Sequence, residues 1–256
     1  MKVVIAGTGN VASVLSEIIQ RAGHEIVQVI GRNSENAQKL AAKYNAQSGT
    51  LLDNKFADAD IYIIALTDAA LESVEKVNGL KNKLIVHTAG SVPMDVLKNC
   101  SSMYGVLYPL QSLSKDTDHI PEIPFLVEGN NKEVSHQITE FARTLSDQVI
   151  PSTDSERLHY HIAGVFVGNF TNHLMAMAEA FCTKEKIDFK ILLPLINEVT
   201  SKANRFSPHA VQTGPAIRED IVTLNRHLQA LSPHVDLKYI YLKLSESILK
   251  LHQKNK

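Results

Sequence analysis

KVVIAGTGNVA, residues 2–12, joins a short apolar strand to the start of a helix through a turn that contains two glycines. The turn has the Gly-x-Gly-x-x-Ala form of the fingerprint with which strand–helix–strand units bind the diphosphate of a dinucleotide. Gly7 permits the tight turn, Gly9 lets a diphosphate approach the backbone, and Ala12 lets the helix pack closely on the strand. Main-chain N–H groups at the helix start would then face the anion. The alternative is a glycine-rich turn that binds nothing.

Short apolar runs continue after this unit and alternate with helical patterns. The predicted strands are Lys2–Ala6, Glu25–Ile30, Asp60–Leu66, Lys83–His87, Met103–Tyr108 and Pro124–Glu128. The predicted helices between them are Asn10–Ala22, Ser34–Tyr44, Ala69–Gly79 and Asn131–Ser146. Because most of the strand runs are continuous rather than alternating, we expect helices on both faces of the sheet. The sequence therefore predicts an α/β fold with a doubly wound, mostly parallel Rossmann sheet.

The second half of the chain has only helical patterns. The predicted helices are Asp154–Thr183, Phe189–Phe206, Arg218–Leu231 and Val235–His252. Ser152 or Thr153 is the expected N-cap of the first of them. Pro208, Pro215 and Pro233 fall between the helices, where proline is tolerated. We therefore predict a Rossmann domain at residues 1–151 and an all-helical domain at residues 152–256.

Composition excludes several classes of protein. The 256 residues carry 26 Lys and Arg against 27 Asp and Glu, so charge gives no support for nucleic-acid binding. Two cysteines, Cys100 and Cys182, indicate a reducing compartment rather than a disulfide framework. No apolar run approaches the roughly 20 residues that span a bilayer, and no metal-binding spacing is present. We expect a cytoplasmic protein with no nucleic-acid, membrane or metal partner.

The end of the second predicted strand indicates which dinucleotide binds. In place of the acidic residue typical of NAD sites, the chain has Gly31 followed by Arg32, Asn33 and Ser34. The Arg32 guanidinium can pair with a 2′-phosphate, and its two neighbours add neutral donors. The pattern favours NADP over NAD, although Arg32 could also be an ordinary exposed loop residue.

A third element expected to face the cofactor is the Leu66-Thr67-Asp68 turn, which ends a predicted strand and opens a helix. Ligands of open α/β sheets bind at this edge, although both polar residues could also be N-caps. The predicted cofactor-binding residues are Gly7, Thr8, Gly9, Asn10, Val11, Arg32, Asn33, Ser34, Leu66, Thr67 and Asp68.

With these elements placed, the chain resembles a family of two-domain proteins that join an NADP-oxidoreductase-like Rossmann domain to a helical domain of poorly defined function. The matching segments are Gly7–Ala12, Val86–Ser91, Gly105–Gln111, His159–Asn169, Thr213–Asp220 and His227–Leu228. The architecture is also similar to pyrroline-5-carboxylate reductase and the β-hydroxyacid dehydrogenases. In those enzymes a helical domain, of the 6-phosphogluconate dehydrogenase kind, completes the active site and often mediates dimerisation. The resemblance implies NADP, a small-molecule substrate and a homodimer formed through the helical domain.

Three positions depart from these patterns. Ala89 stands where the close family typically has serine, and Tyr108 stands where it often has histidine. The β-hydroxyacid dehydrogenases use a helical lysine four residues before a helical asparagine. If Asn172 occupies that asparagine position, the lysine position is Gly168, so the lysine-based proton transfer is not carried over.

Candidate catalytic residues lie on the first long helix of the second half. At 100° per residue, His161, Val165, Gly168 and Asn172 fall on one face, with Asn169 on its flank. A histidine can exchange a proton near neutral pH, and an asparagine can hold a carbonyl or carboxylate. The alternative is close helix packing with both polar side chains hydrogen-bonded.

Two other segments carry candidate residues. Thr213 and Arg218 suit an anionic substrate, unless Arg218 instead pairs with Asp220 or Glu219 in the first turn of a helix. His87 and Ser91 end a predicted strand, where they could serve the substrate carbonyl or only cap the turn.

The sequence predicts an NADP-dependent oxidoreductase that transfers a hydride to or from a small, anionic substrate in an interdomain cleft. Asn169, Thr213 and Arg218 would orient the substrate, and His161 or His87 would donate a proton. The alternative is a non-catalytic dinucleotide-binding regulator that acts through its helical domain. The missing lysine and the Ala89 substitution favour that alternative.

Overall fold

The computed structural model describes residues 1–53, 55–72, 74, 79–116 and 119–253. The chain divides into two compact units, an N-terminal unit of Met1–Asn169 and a C-terminal unit of Phe170–Lys256. The functional domains predicted at residues 1–151 and 152–256 stay a prediction.

The described part of the N-terminal unit has eight strands and five α-helices. The strands are β1 Lys2–Ala6, β2 Glu25–Gly31, β3 Gln47–Thr50, β4 Ile61–Ile64, β5 Leu84–His87, β6 Met103–Pro109, β7 Phe125–Gly129 and β8 Val149–Pro151. The helices are α1 Asn10–Arg21, α2 Ser34–Ala42, α3 Asp68–Leu71, α4 Lys132–Arg143 and α5 Asp154–Gly164. The six predicted strands are present within two residues of their expected bounds. Of the predicted helix Ala69–Gly79, positions 73 and 75–78 lie outside the described residues.

The strands form one sheet in the order β3-β2-β1-β4-β5-β6-β7-β8. Every neighbouring pair is parallel except β6 and β7, so the predicted mostly parallel, doubly wound sheet is confirmed. Strand β7 runs antiparallel to β6, and the described residues between these strands form no crossover helix.

Both faces of the central strands are buried, which explains the continuous apolar runs. Along β1, Val3 and Ile5 join the cluster that contains α1 and α4 residues, whereas Val4 and Ala6 join the cluster on the opposite face. Successive residues of a strand point to opposite faces of the sheet. A strand that is covered on both faces therefore has apolar residues at consecutive positions instead of alternating apolar and polar ones.

The regular secondary structure of the described part of the C-terminal unit is entirely helical. Its helices are α6 Thr171–Glu185, α7 Leu193–Arg205, α8 Ile221–Ala230 and α9 Val235–Gln253, with a 3-10 turn at Phe189–Leu192. The predicted helical second half is thus confirmed. None of the helices described is long and apolar enough to cross a membrane.

One predicted helix differs in its interior. Thr153 caps α5 through a capping box with Glu156, as one of the two expected caps. The helix expected to continue to Thr183 changes to a π-helix at Val165–Phe170 before α6 begins. Its hydrogen bonds close over five residues instead of four, so each residue turns through less than 100°. The constant 100° step from which Val165, Gly168 and Asn172 were predicted to share the face of His161 is therefore interrupted at Val165–Phe170.

Helix α8 begins three residues later than the predicted helix Arg218–Leu231. Arg218 was expected in the first helical turn, but α8 begins at Ile221 with Asp220 as its N-cap. The Asp220 carboxylate accepts hydrogen bonds from the Thr223 backbone N–H and hydroxyl. Glu219 has a φ of 55°, which is incompatible with a right-handed helix. Arg218 thus lies in the turn before the helix.

Candidate functional site

The glycine turn lies at the point where the strand order of the sheet reverses. From β1 the chain passes to β2 on one side, and it later returns to place β4 on the other side. The turns after β1, β4 and β5 meet at this carboxyl edge, where open α/β sheets leave a crevice for ligands.

Three features of the turn suit a diphosphate. A Cβ on Gly7, which has a φ of 142°, would lie 2.2 Å from the Ala65 carbonyl oxygen. A Cβ on Gly9 would meet no atom of the described residues within 4 Å. Gly9 is also the N-cap of α1, no side chain caps that helix, and its first turn has no acidic residue. The N–H groups at an uncapped helix start are suited to bind an anion.

Arg32 lies close to this turn and is exposed. A Cβ on Gly31 would lie 3.0 Å from the Thr8 Cγ2 atom, so the end of β2 touches the glycine turn. No ion pair to a described residue engages Arg32, and the acid nearest in sequence, Glu35, pairs with Lys39. The Arg32 guanidinium is therefore available to an external anion.

The neighbouring predicted cofactor residues take different local roles. The Asn33 side chain accepts a hydrogen bond from the Asn36 N–H and so caps α2, while Ser34 is the exposed first residue of that helix. Thr67 precedes α3 without a side-chain cap bond. Asp68 begins α3 and accepts a hydrogen bond from the Ser91 hydroxyl.

His87, one of the two predicted proton donors, is fully buried at the end of β5. Its Nδ1 accepts a hydrogen bond from the Ala89 N–H, and its Nε2 has no partner in hydrogen-bond geometry although the Pro93 backbone is near. Burial, and next the positive charge of Arg157, lower its pKa to about 4. The ring is therefore neutral at pH 7, which opposes a role as proton donor.

The buried His87 predicts an acid-sensitive fold. The unfolded chain protonates His87 below pH 6.5, whereas the folded protein resists protonation down to about pH 4. The stability that this residue contributes is therefore present above pH 6.5 and falls progressively toward pH 4, by roughly 3 kcal/mol. Urea unfolding at several pH values should show this slope in the parent protein and its loss in His87→Leu. Equal slopes in the two proteins would contradict the assignment.

His161, the other predicted donor, is half-buried on α5 and faces the end of β6. Its Nδ1 lies 2.9 Å from the Tyr108 hydroxyl, and the two rings meet edge to face at 5.9 Å between centroids. A Cβ on Gly90 would lie 2.6 Å from the His161 Nδ1 and 2.9 Å from the Tyr108 Cζ. Gly90 thus leaves the space that both rings occupy.

Arg157 is a buried residue that connects several segments through its side chain, and it was not predicted from the sequence. Its side chain is 1% exposed and binds Glu128 at 3.0 Å, Asp154, and the Val92 carbonyl at 2.7 Å. These bonds tie β7 and the start of α5 to the segment that follows Gly90. An arginine between acidic residues on a helix is typical of a solvated face, so only tertiary packing reveals its burial.

The remaining predicted substrate residues, Asn169, Thr213 and Arg218, are exposed. Asn169 lies in the π-helix, and a Cβ on its neighbour Gly168 would meet no atom within 4 Å. Thr213 and Arg218 lie before α8 in the C-terminal unit. Hydrogen bonds from Thr223 lower the pKa of Asp220 most, and the Arg218 charge lowers it further. Within the described ranges, no group of His, Cys, Asp or Glu is arranged to hold a metal ion.

Of the residues at the sheet edge, Tyr108 and Gly90 were not predicted as site residues. Tyr108 stood out in sequence only as a departure from a His-Pro pattern, and it lies 53 positions from His161. The available signal was the coincidence of a polar ring and a glycine at the ends of two adjacent strands.

Two family models match the chain. Residues 2–90 match the NADP oxidoreductase, coenzyme F420-dependent family, and residues 123–248 match DUF2520, a domain of unknown function. Comparison with curated proteins gives no match.

Solved structures match over almost the whole length. A Bacteroides fragilis protein described as an NADP oxidoreductase is 36% identical, with a TM-score of 0.87 over 97% of this chain and 98% of that one. A Thermotoga maritima protein is 16% identical, with a TM-score of 0.80 over 98% and 99%. Pyrroline-5-carboxylate reductase from Streptococcus pyogenes is 15% identical, with a TM-score of 0.61 over 98% of both chains. The last two similarities show the shared fold.

Proposed function

Since the chain belongs to the two-domain family that joins an NADP oxidoreductase domain to a DUF2520 domain, we propose that it is an NADP-dependent oxidoreductase. It transfers a hydride to or from a small, anionic substrate. The observation that carries this proposal is the glycine turn at the uncapped start of α1, with Arg32 beside it in no ion pair to a described residue.

The residues present fit the dinucleotide. Backbone N–H groups at Asn10 and Val11 would hold the diphosphate at the start of α1. Arg32 would pair with the 2′-phosphate, with Ser34 beside it. Leu66, Thr67 and Asp68 would line the cofactor from the β4 side of the crevice. When bound, the nicotinamide ring would give or accept the hydride, and the protein would supply orientation and proton transfer.

The proton comes from His161 rather than His87 in this proposal. His161 is half-buried at the carboxyl edge, whereas His87 is enclosed and neutral at pH 7. Ser91, at the same edge, would orient the reacting group of the substrate. The assignment of Asn169, Thr213 and Arg218 to substrate orientation stays a prediction.

Arg32→Ala tests the cofactor preference. We expect the parent protein to bind NADPH more tightly than NADH, and Arg32→Ala to weaken NADPH binding roughly ten- to a hundredfold while NADH binding hardly changes. Fluorescence titration of both cofactors measures this. Arg21→Ala, at the opposite end of α1, is the matched control because its guanidinium pairs with Glu17 away from the turn. Equal affinity of the parent protein for both cofactors would contradict the preference.

A turnover screen separates the enzyme from the regulator. Small oxo-acids and imines are mixed with NADPH and the protein, and absorbance follows cofactor oxidation. We expect turnover that falls in Asn169→Ala while NADPH binding is kept. NADPH binding without turnover on any compound, together with a tightly bound protein partner, would support the regulatory alternative.

We also infer a homodimer formed through the C-terminal unit. Leu195 and Val199 lie four residues apart on α7, and each is 61% exposed. Exposed apolar side chains on one helix face are typical of an interface between subunits.

The dimer gives a direct prediction for solution mass. Sedimentation should give twice the 28.3 kDa mass of the chain for the parent protein, and a single chain for the variant Leu195→Glu/Val199→Glu. Ser201→Glu places a charge on another side of α7, away from Leu195 and Val199, and this variant should stay dimeric. A monomeric parent protein would contradict the inference.

A further inference from the structure

The side chains of Tyr108 and His161 form a hydrogen-bonded pair at the edge where the reaction is proposed to occur. Tyr108 lies at the end of β6, next to the turn that follows β5, and its hydroxyl reaches the His161 Nδ1 at 2.9 Å. Nε2 makes no hydrogen bond to any residue described. The pair therefore leaves one ring nitrogen of His161 for a ligand.

Gly90, in the turn after β5, also restricts the positions of the Tyr108 and His161 rings. Gly90 lies against both rings, and even a methyl group there would come within 3 Å of each. The edge-to-face contact between the rings holds their relative angle at 72°. Three elements, β5, β6 and α5, thus define the direction in which the His161 Nε2 points.

The chemistry of Tyr108 assigns the two members of the pair different roles. Burial raises the pKa of the Tyr108 phenol; the Arg157 charge opposes this rise, and Asp68 adds to it. The residue therefore stays a neutral phenol at pH 7. A phenolic oxygen can both donate and accept a hydrogen bond, so it can partner Nδ1 in either protonation state of the histidine.

We propose that Tyr108 is the positioning residue that holds His161 ready to deliver a proton from Nε2 to the substrate. This inference rests on the proposed function. In the protonated ring, Nδ1–H donates to the Tyr108 oxygen, and Nε2–H points to the substrate. The Nε2–H bond breaks as the proton passes to the substrate oxygen or nitrogen, and its electron pair stays on Nε2. The neutral ring then regains a proton from water.

Tyr108→Phe removes only the hydroxyl and tests the pair directly. Tyr104→Phe is the matched control, because Tyr104 lies on the same strand and its hydroxyl binds Asp95 at 3.0 Å instead. Nitrogen NMR of histidine-labelled protein, assigned by the signals missing in His161→Gln, reports the state of the His161 ring nitrogens. We expect a shifted Nδ1 signal in Tyr108→Phe and an unchanged one in Tyr104→Phe.

Kinetics provide the readout that a purely structural role would not move. We expect Tyr108→Phe to lower kcat about tenfold and to increase the solvent isotope effect, while the KM and Kd for NADPH stay unchanged. Tyr104→Phe should match the parent protein in all four quantities.

The outcomes distinguish this inference from the function on which it rests. An unchanged Nδ1 signal in Tyr108→Phe, or unchanged kcat and isotope effect, overturns the positioning role. A parent protein that binds no NADPH, or that turns over no compound, counts against the proposed function instead. In that case the NMR result still decides whether Tyr108 holds His161.

Discussion

Gly9→Asp is expected to abolish NADPH binding without loss of fold stability. A Cβ at this position meets no atom of the described residues within 4 Å, and the backbone is extended with a φ of −83°, which aspartate adopts without strain. Its carboxylate would accept hydrogen bonds from the backbone N–H groups in the first turn of α1, since aspartate is a favoured N-cap. The same carboxylate would occupy the position of the diphosphate, and its negative charge would repel that group. We expect affinity for NADPH to fall at least a hundredfold, about 2.7 kcal/mol, with an equal or higher melting temperature.

The matched control places the same charge on the other edge of the sheet. Asn131 caps α4, which follows β7, and β7 runs antiparallel to β6. Asn131→Asp therefore adds an N-cap carboxylate far from the glycine turn and should leave NADPH affinity unchanged. Calorimetric titration measures both variants. NADPH affinity retained in Gly9→Asp would show that the diphosphate does not bind at the turn.

Arg157→Met is expected to produce the largest loss of stability in the N-terminal unit. Methionine keeps much of the volume but removes a buried cation from Glu128 and the donor to the Val92 carbonyl. Breaking a buried ion pair by removing one partner costs about 3–5 kcal/mol. Arg143→Met is the control, because its pair with Glu140 is exposed and should cost less than about 1 kcal/mol.

The loss in Arg157→Met should depend on pH. The pKa of Glu128 is already raised, first by burial and then by Asp154, and these effects outweigh the attraction of Arg157. Removing Arg157 raises this pKa further above its unfolded value. The part of the penalty that comes from the ionised Glu128 carboxylate is then full at pH values above the folded pKa and vanishes as pH falls through the unfolded pKa.

Urea unfolding at pH 7.5 and pH 5 measures this dependence. We expect a smaller loss of stability at pH 5, and a partial recovery at pH 7.5 in Arg157→Met/Glu128→Gln. A loss that is equal at both pH values, with no recovery in the double variant, would contradict the role of Glu128.

The sheet could be predicted because its central strands are buried on both faces, and such strands appear in the sequence as continuous apolar runs. The strands that were missed are the two at its edges. β3, Gln47–Thr50, is polar and largely exposed, and β8, Val149–Pro151, has three residues. An edge strand is held by backbone hydrogen bonds to one neighbour, so its composition carries little signal.

Some residues of the candidate site could be predicted from local sequence patterns, whereas others are placed only by tertiary contacts. The glycine turn and Arg32 are local, because a strand, a turn and a helix start are enough to place them. The Tyr108–His161 pair and the burial of Arg157 depend on contacts between distant segments. The π-helix at Val165–Phe170 carries no local signature that separates it from a regular α-helix, so the helical wheel failed there.

A structure of the protein with bound NADP⁺ tests the central claim most directly. We predict that the diphosphate accepts hydrogen bonds from backbone N–H groups at Asn10 and Val11, with the 2′-phosphate paired to the Arg32 guanidinium. A dinucleotide bound away from the Gly7–Gly9 turn, or a 2′-phosphate without contact to Arg32, would contradict it.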